Sequence, residues 1–155
     1  MYTCHDVFLL LIGIQIIDLV AHKNPRASIL QVGGVTPELV REALQILEAD
    51  DSKARRFKTI GFLDRDEDLI KKMATLYEGL RPEVQFTHIE SEKSNLLLEH
   101  KDSSIDLAIL GSQGLPEQQY SEASSRIVRM LKPGGKLLVM GPVEHAGAGY
   151  VHLIL

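Results

Sequence analysis

Cysteine is almost missing from the 155-residue sequence, and positive charge is not in excess. Cys4 is the single cysteine, which excludes a disulfide within the chain and a site in which several thiolates bind a metal. Lys and Arg number 17 against 21 Asp and Glu, a formal net charge of −4, and no long basic run occurs. Nucleic acid is therefore not expected as the main partner, because phosphate binding needs a positive surface.

A continuous membrane-length apolar run is also missing. The most apolar stretch, Val7 to Val20, contains Gln15 and Asp18 and lacks a basic leader, whereas a membrane span needs about 20 predominantly apolar residues. This pattern predicts a buried or docking helix over about residues 7–21. No membrane partner is expected, and a cytoplasmic location is the default.

Strand-length apolar runs alternate with amphipathic helical segments along the rest of the chain. With 45% hydrophobic residues, this predicts one α/β domain over residues 1–155, a mostly parallel sheet with helices on both faces. No internal repeat or linker interrupts it. The expected strands are Ser28–Val32, 58–64, 83–89, 104–112 and 136–141, and the expected helices are Pro37 to about Ala49, 66–80 (with Asp66 as N-cap) and 121–131.

The order of these motifs resembles class I S-adenosylmethionine-dependent methyltransferases. The likeness consists of a strand ending in glycines, a strand ending in an acid, "IDLAIL" and "LKPGGKLLV". More narrowly, "IIDLVAHKNPRASILQVGG" resembles the methyltransferase region of fungal iterative polyketide synthases. The resemblance implies a Rossmann-like fold with strand order 3-2-1-4-5, a final run at 150–155 antiparallel to the fifth strand, and a shortened C-terminal end. Neighbouring synthase domains are the implied partners.

The same resemblance identifies where a cofactor would bind and where this chain departs from the pattern. The family form "LEIGAGTGG" aligns with "LQVGGVTPE", so that Gln31 replaces the acid and Val35 replaces a glycine. Backbone can approach a ligand closely only where a Cβ is missing, and we expect Val35 to enter the space that the cofactor needs. The vestigial cofactor positions are then Gly33, Gly34, Asp64 and Glu90, and no bound cofactor is expected.

The catalytic position of the related synthase domains is altered as well. Carbon methylation of a β-ketoacyl thioester needs a base for the α-proton, which the family supplies as a histidine after the fourth strand. Counting from Asp106 to "LKPGG" puts Leu115 at that position, and leucine cannot carry a proton. None of the six histidines replaces it, so no catalytic residue and no metal site are predicted.

These departures favour a non-catalytic pseudo-methyltransferase domain with a packing role. Two alternatives stay open at this level. One is an active S-adenosylmethionine-dependent carbon methyltransferase on a polyketide-like acyl thioester, using Gly33, Gly34, Asp64 and Glu90 for the cofactor. The other is a free-standing binding module similar to the anamorsin family, whose "HKESSFDI"-like and "LRPGG"-like segments resemble "HKDSSIDLAI" and "LKPGG", although that family's cysteine-rich tail has no counterpart here. A homodimer is a further expected partner arrangement.

Overall fold

The fold is built on a six-stranded sheet of order β3-β2-β1-β4-β5-β6. The computed structural model describes residues 4–48, 57–77, 79, 81–89, 101–111, 117–142 and 149–154. The helices are α1 Cys4–Lys23, α2 Pro37–Glu48, α3 Glu67–Tyr77 and α4 Glu117–Met130, and the strands are β1 Ser28–Val32, β2 Thr59–Asp64, β3 Val84–His88, β4 Ile105–Gly111, β5 Leu131–Pro142 and β6 Gly149–Ile154. The first five strands are parallel and β6 runs antiparallel to β5, which confirms the predicted order.

The central strands are buried on both faces, as their apolar sequences predict. All five residues of β1 are buried, and alternate side chains serve opposite faces. Ile29 belongs to a larger core cluster that also takes residues from α1, α2 and α3. Leu30 and Val32 belong to a second cluster, together with α4. The helices therefore cover both faces, in agreement with the predicted α/β architecture.

Two polar residues begin the helices that follow β1 and β2. The hydroxyl of Thr36 accepts a hydrogen bond from the backbone N–H of Leu39 at 3.1 Å, and Pro37 is the first residue of α2, where its fixed φ suits a helix and its missing N–H costs nothing. Asp66 accepts from the N–H of Leu69 at 2.9 Å. The predicted N-cap of α3 is confirmed.

Helix α1 is longer than the predicted 7–21 segment and lies against α2, β4 and β6. Ile17 and Ala21 are buried in the larger core cluster. Among the helices in the described part of the chain, none combines the length and the apolarity needed to cross a membrane. In the part of α1 whose side chains are described, one side of the helix packs into the core.

Strand β5 begins earlier than predicted. We expected "KPGG" to be a turn before a strand at 136, yet Leu131 already pairs with Ile105, and the register shifts before Leu107 pairs with Lys136. Gly134 has a φ of 79° within this irregular segment. The early start depends on pairing with β4, which local turn propensity does not reveal.

Candidate functional site

The turn after β1 requires glycine at two consecutive positions. Gly33 and Gly34 have φ values of 70° and 65°, a left-handed conformation that residues with a Cβ rarely adopt. The N–H of Gly33 donates to the carbonyl oxygen of Leu63 at 2.8 Å. The turn is thereby joined to the end of the neighbouring strand β2.

Asp64, the last residue of β2, lies beside this turn with 8% of its surface exposed. Its Oδ2 accepts a hydrogen bond from the backbone N–H of Val35 at 3.0 Å, and its Oδ1 accepts from the N–H of Asp66 at 3.1 Å. The fold therefore brings together three of the predicted cofactor positions, while Glu90 lies outside the described residues. Both carboxylate oxygens of Asp64 are engaged by the protein's own backbone.

Gln31 has a role in this turn that its sequence position did not reveal. The side chain is 1% exposed, and its Nε2 donates to the carbonyl oxygen of Gly33 at 2.7 Å. Its Oε1 is buried without a hydrogen-bond partner among the described groups. In the sequence, Gln31 stands only as the replacement of the family's acid. In the structure, its side-chain amide supplies a hydrogen-bond donor that an ionised acid cannot supply.

Gly111, at the end of β4, completes the packing around the turn. A Cβ built on Gly111 would lie 2.8 Å from the carbonyl oxygen of Gly33 and 3.2 Å from the nitrogen of Gly34. This glycine therefore lets two segments of the same chain approach closely. Its signal in the sequence was a glycine directly after an apolar strand.

Val35 differs from its expected environment. We expected its side chain to enter cofactor space, but the residue is 5% exposed and belongs to the larger core cluster. Its packing therefore holds the turn from the interior of the protein, while its N–H is held by Asp64. Val35 therefore fixes the turn through apolar packing and through one backbone hydrogen bond.

A second polar network lies at the opposite, amino-terminal edge of the sheet. Asp106 accepts hydrogen bonds from the backbone N–H of Ser28 at 2.8 Å, from Nζ of Lys132 at 2.7 Å and from Nδ2 of Asn24 at 3.2 Å. These residues come from "RASIL", "LKPGG", "AHKNP" and "IDLAIL", the segments that carry the family resemblance. The segments thus converge on a structural network away from the glycine turn.

The described residues offer little for acid–base or metal chemistry near the turn. His88 contacts the carbonyl oxygen of Arg65 through Nε2 at 3.2 Å, and His22 is exposed at the end of α1. No group of three His, Cys, Asp or Glu suited to a metal ion occurs among these residues. Leu115, at the position of the family's base, lies outside them. On exposed α3, Nζ of Lys71 lies 2.6 Å from Oε1 of Glu67. The hydrogen bond from Lys71 and its positive charge lower the pKa of Glu67.

Comparison with solved structures identifies the fold. The trans-methyltransferase CalH, solved with SAH, aligns over 81% of this chain and 34% of its own, with a TM-score of 0.60 and 17% identity. The DszA carbon methyltransferase aligns over 79% of this chain and 30% of its own, with a TM-score of 0.57 and 18% identity. A putative methyltransferase from Thermobifida fusca covers 92% of this chain and 53% of its own, with a TM-score of 0.64 and 16% identity. The chain has the Rossmann-like fold of class I methyltransferases.

Sequence comparison places the chain more narrowly. It is 47% identical over 135 residues to the highly reducing polyketide synthase Preu1 of Preussia isomera, covering 87% of this chain and 6% of that protein. It is 31% identical over 139 residues to the highly reducing polyketide synthase sorA of Penicillium rubens, covering 86% of this chain and 5% of that protein. No family model matches the chain. The chain is homologous to a segment of fungal highly reducing polyketide synthases and spans about one-twentieth of their length.

Proposed function

We propose that this chain is a non-catalytic methyltransferase-like domain of a polyketide synthase, with a role in packing between domains. The observation that carries the proposal is the engagement of Asp64. Its two carboxylate oxygens bind the N–H groups of Val35 and Asp66, whereas in the family this acid accepts hydrogen bonds from the ribose of the cofactor. Each oxygen of Asp64 already accepts one backbone hydrogen bond, which leaves fewer acceptor sites for a ribose.

The other groups at the turn support the same proposal. S-adenosylmethionine would supply an electrophilic methyl group, and binding it requires free acceptors and donors around its ribose and amino-acid parts. Here the Gln31 amide donates to Gly33, and the Thr36 hydroxyl accepts from the N–H of Leu39. The space beside Gly111 is filled by the backbone of Gly33. Because these groups already make hydrogen bonds within the turn, they fit the cofactor poorly, and we derive no catalytic step through them.

A titration with S-adenosylmethionine and S-adenosylhomocysteine tests the proposal. A ligand at about 100 times its dissociation constant stabilises the folded state by about 2.7 kcal/mol, which corresponds to a rise in Tm of roughly 5–10 °C for a domain of this size. We expect no shift at millimolar concentrations of either compound, and no heat of binding by calorimetry.

A saturable shift would contradict the proposal if Asp64→Asn and Asp64→Ala abolish it. Asp66→Ala is the matched control, because it removes the N-cap of α3 but leaves the Asp64 carboxylate in place. If binding occurs, Asp66→Ala should retain it after correction for its own lower stability. The asparagine variant preserves an acceptor for the Val35 N–H, which guards against a simple failure to fold.

The packing role and the partners are inferred from the relatives. The homologous segment accounts for 5–6% of two highly reducing polyketide synthases, so it lies within a much longer polypeptide in both. We propose that neighbouring synthase domains contact this domain. Its two core clusters on the two sheet faces provide the stable body that such a role needs.

An active carbon methyltransferase is the second candidate. The position of Asp64 at the end of β2, next to Gly33 and Gly34, favours it, since these residues would hold the cofactor together with Glu90. The titration above decides between the two candidates.

A further inference from the structure

The amino-terminal edge of the sheet, where the parallel strands begin, is rich in positive charge. The residues concerned are Arg26 before β1, Lys58 before β2, Lys101 before β4, Arg129 in the last turn of α4 and Lys132 at the start of β5. We call these five residues the basic edge. All of them are exposed except the half-buried Lys132. The whole chain has a net charge of −4, so this edge reverses the sign of the charge locally.

Backbone contacts hold the segments of the basic edge together. The N–H of Lys58 donates to the carbonyl oxygen of Ala27, the neighbour of Arg26, at 2.8 Å. The N–H of Ser103, in the segment before β4, donates to the carbonyl oxygen of Arg129 at 3.0 Å. The carboxylate network described above joins the start of β1 to the start of β5. The cations therefore stand on contiguous segments and form one surface.

Most of the positive charge on this surface is not neutralised by the described part of the chain. Lys132 binds Asp106 at 2.7 Å, and Asp102 is paired with Arg126 at 3.4 Å. The other four members of the basic edge form no ion pair with a described residue. Like charges repel one another, and carboxylates that approach from outside relieve this repulsion.

Helix dipoles account for only part of this charge. A cation stabilises the C-terminal end of a helix, which explains Arg129 in the last turn of α4. Arg26, Lys58 and Lys101 lie outside the helices and strands, so no helix of the described chain requires them. These three side chains are available for contacts outside the domain.

We propose that the basic edge binds a carboxylate-rich surface on a neighbouring part of the synthase polypeptide. The inference rests on the packing role proposed above, and it names the face that makes the contact and the chemistry of its partner. The chain spans about one-twentieth of the length of its relatives, so most of such a polypeptide lies outside this domain and can supply the acidic surface. Val128, next to Arg129, is 53% exposed and offers an apolar contact among the charges.

A nucleic acid is the less suitable partner. Proteins that bind single strands stack the bases on aromatic side chains, whereas Phe57, next to Lys58, is only 4% exposed. The net charge of −4 also repels a long polyanion as a whole. Carboxylates on a protein surface need only the local charge of the edge.

Fluorescence anisotropy with a labelled acidic peptide measures the binding. The probe is an N-terminally labelled peptide of six Glu-Glu-Leu repeats, and a peptide of six Gln-Gln-Leu repeats is its neutral match. We expect the chain to bind the acidic peptide more tightly at about 20 mM salt than at about 200 mM, and not to bind the neutral one. Combining Arg26→Glu, Lys101→Glu and Arg129→Glu should weaken the binding about tenfold or more.

The matched control reverses three charges away from the edge. Arg41→Glu, Lys71→Glu and Lys72→Glu together change the net charge by the same amount at exposed positions of α2 and α3, and should change the affinity by less than about twofold. A wild-type chain that does not bind the acidic peptide overturns the proposal, as does a control variant that loses as much affinity as the edge variant. Tighter binding of a single-stranded DNA of equal charge would also overturn it.

The cofactor titration remains a separate test. The basic edge and the glycine turn lie at opposite edges of the sheet, so a Tm shift with S-adenosylmethionine would contradict the non-catalytic role without changing the peptide result. Loss of peptide binding would contradict the basic edge alone.

Zero-length cross-linking locates the bound peptide on the unaltered chain. A water-soluble carbodiimide joins a peptide carboxylate to a lysine amine as an amide, and departs as a urea that carries the lost carboxylate oxygen. Mass spectrometry after proteolysis should find the peptide on Lys58 and Lys101 in much higher yield than on Lys71 and Lys72. Equal yields at the two pairs of lysines would contradict the proposal.

Discussion

Replacing Asp106 with alanine removes the acceptor that joins four segments at the amino-terminal edge of the sheet. The carboxylate binds the backbone of Ser28 and the side chains of Lys132 and Asn24. Its partners are separated from it by 78, 26 and 82 residues in the sequence, respectively. The substitution therefore acts on tertiary structure rather than on one local turn.

The expected loss of stability can be built from these contacts. Ser28 is 5% exposed, and leaving its N–H without an acceptor costs about 1–3 kcal/mol. The side chain of Lys132 is 38% exposed, so its ion pair adds only about 0–1 kcal/mol. The bond from Asn24 adds about 1 kcal/mol. We expect Asp106→Ala to lower the free energy of unfolding by about 3 kcal/mol, a fall in Tm of roughly 6–12 °C.

Thermal and urea unfolding followed by circular dichroism measure this effect. Lys132→Met removes only the ion pair and should cost about 1 kcal/mol or less. Asp102→Ala is the matched control, because this nearby acid is 65% exposed and its pair with Arg126 is 3.4 Å long. It should change stability by less than about 0.5 kcal/mol. A loss for Asp106→Ala no larger than that for Lys132→Met would refute the reasoning.

Three further predictions concern the turn, the base position and a surface pair. Gln31→Glu would bury a carboxyl group against the carbonyl oxygen of Gly33, which raises its pKa in the folded state. The substitution should therefore destabilise the fold more at pH 8 than at pH 5, because only the unfolded chain ionises freely. Gln31→Met should show no such pH dependence in thermal melts. Leu115→His alone should give no methyl transfer to a β-ketoacyl thioester, and turnover in a mass-spectrometric assay would mean that the turn still binds the cofactor. Because Lys71 lowers the pKa of Glu67, the small stabilisation from this pair should be present above the usual glutamate range and disappear as pH falls through the lowered pKa; carboxyl-carbon NMR titration with and without Lys71→Met measures it.

The sheet was predictable because its strands and helices each have a local sequence pattern that recurs along the chain. The strands that are buried on both faces appear as apolar runs such as "IDLAIL", and amphipathic segments mark the crossover helices. Parallel strands joined by right-handed helical crossovers leave few possible orders. The family resemblance then specified the order that the structure has. The start of β5 was missed because it is set by pairing with Ile105.

The candidate site was predictable in position but not in its contacts. Asp64 was recognisable as an acid that ends a strand beside a strand ending in glycines. The partner of its carboxylate was not, because the N–H of Val35 reaches it only through the left-handed turn at Gly33 and Gly34. In the same way, the sequence shows at position 31 only that glutamine replaces the family's acid. The path of the turn is what brings the carbonyl oxygen of Gly33 to the side-chain amide of Gln31.

The two edges of the sheet carry different information about function. At the amino-terminal edge, Asn24, Asp106 and Lys132 satisfy one another and the backbone of β1, and such a network stabilises the fold whether or not a cofactor binds. The segments that contain them are those by which the chain is recognised as methyltransferase-like. Likeness in these segments therefore reports the fold. Activity depends instead on the carboxyl-terminal edge, where Gln31 and Asp64 bind the protein's own turn, so the recognisable motifs alone do not decide whether a chain binds the cofactor.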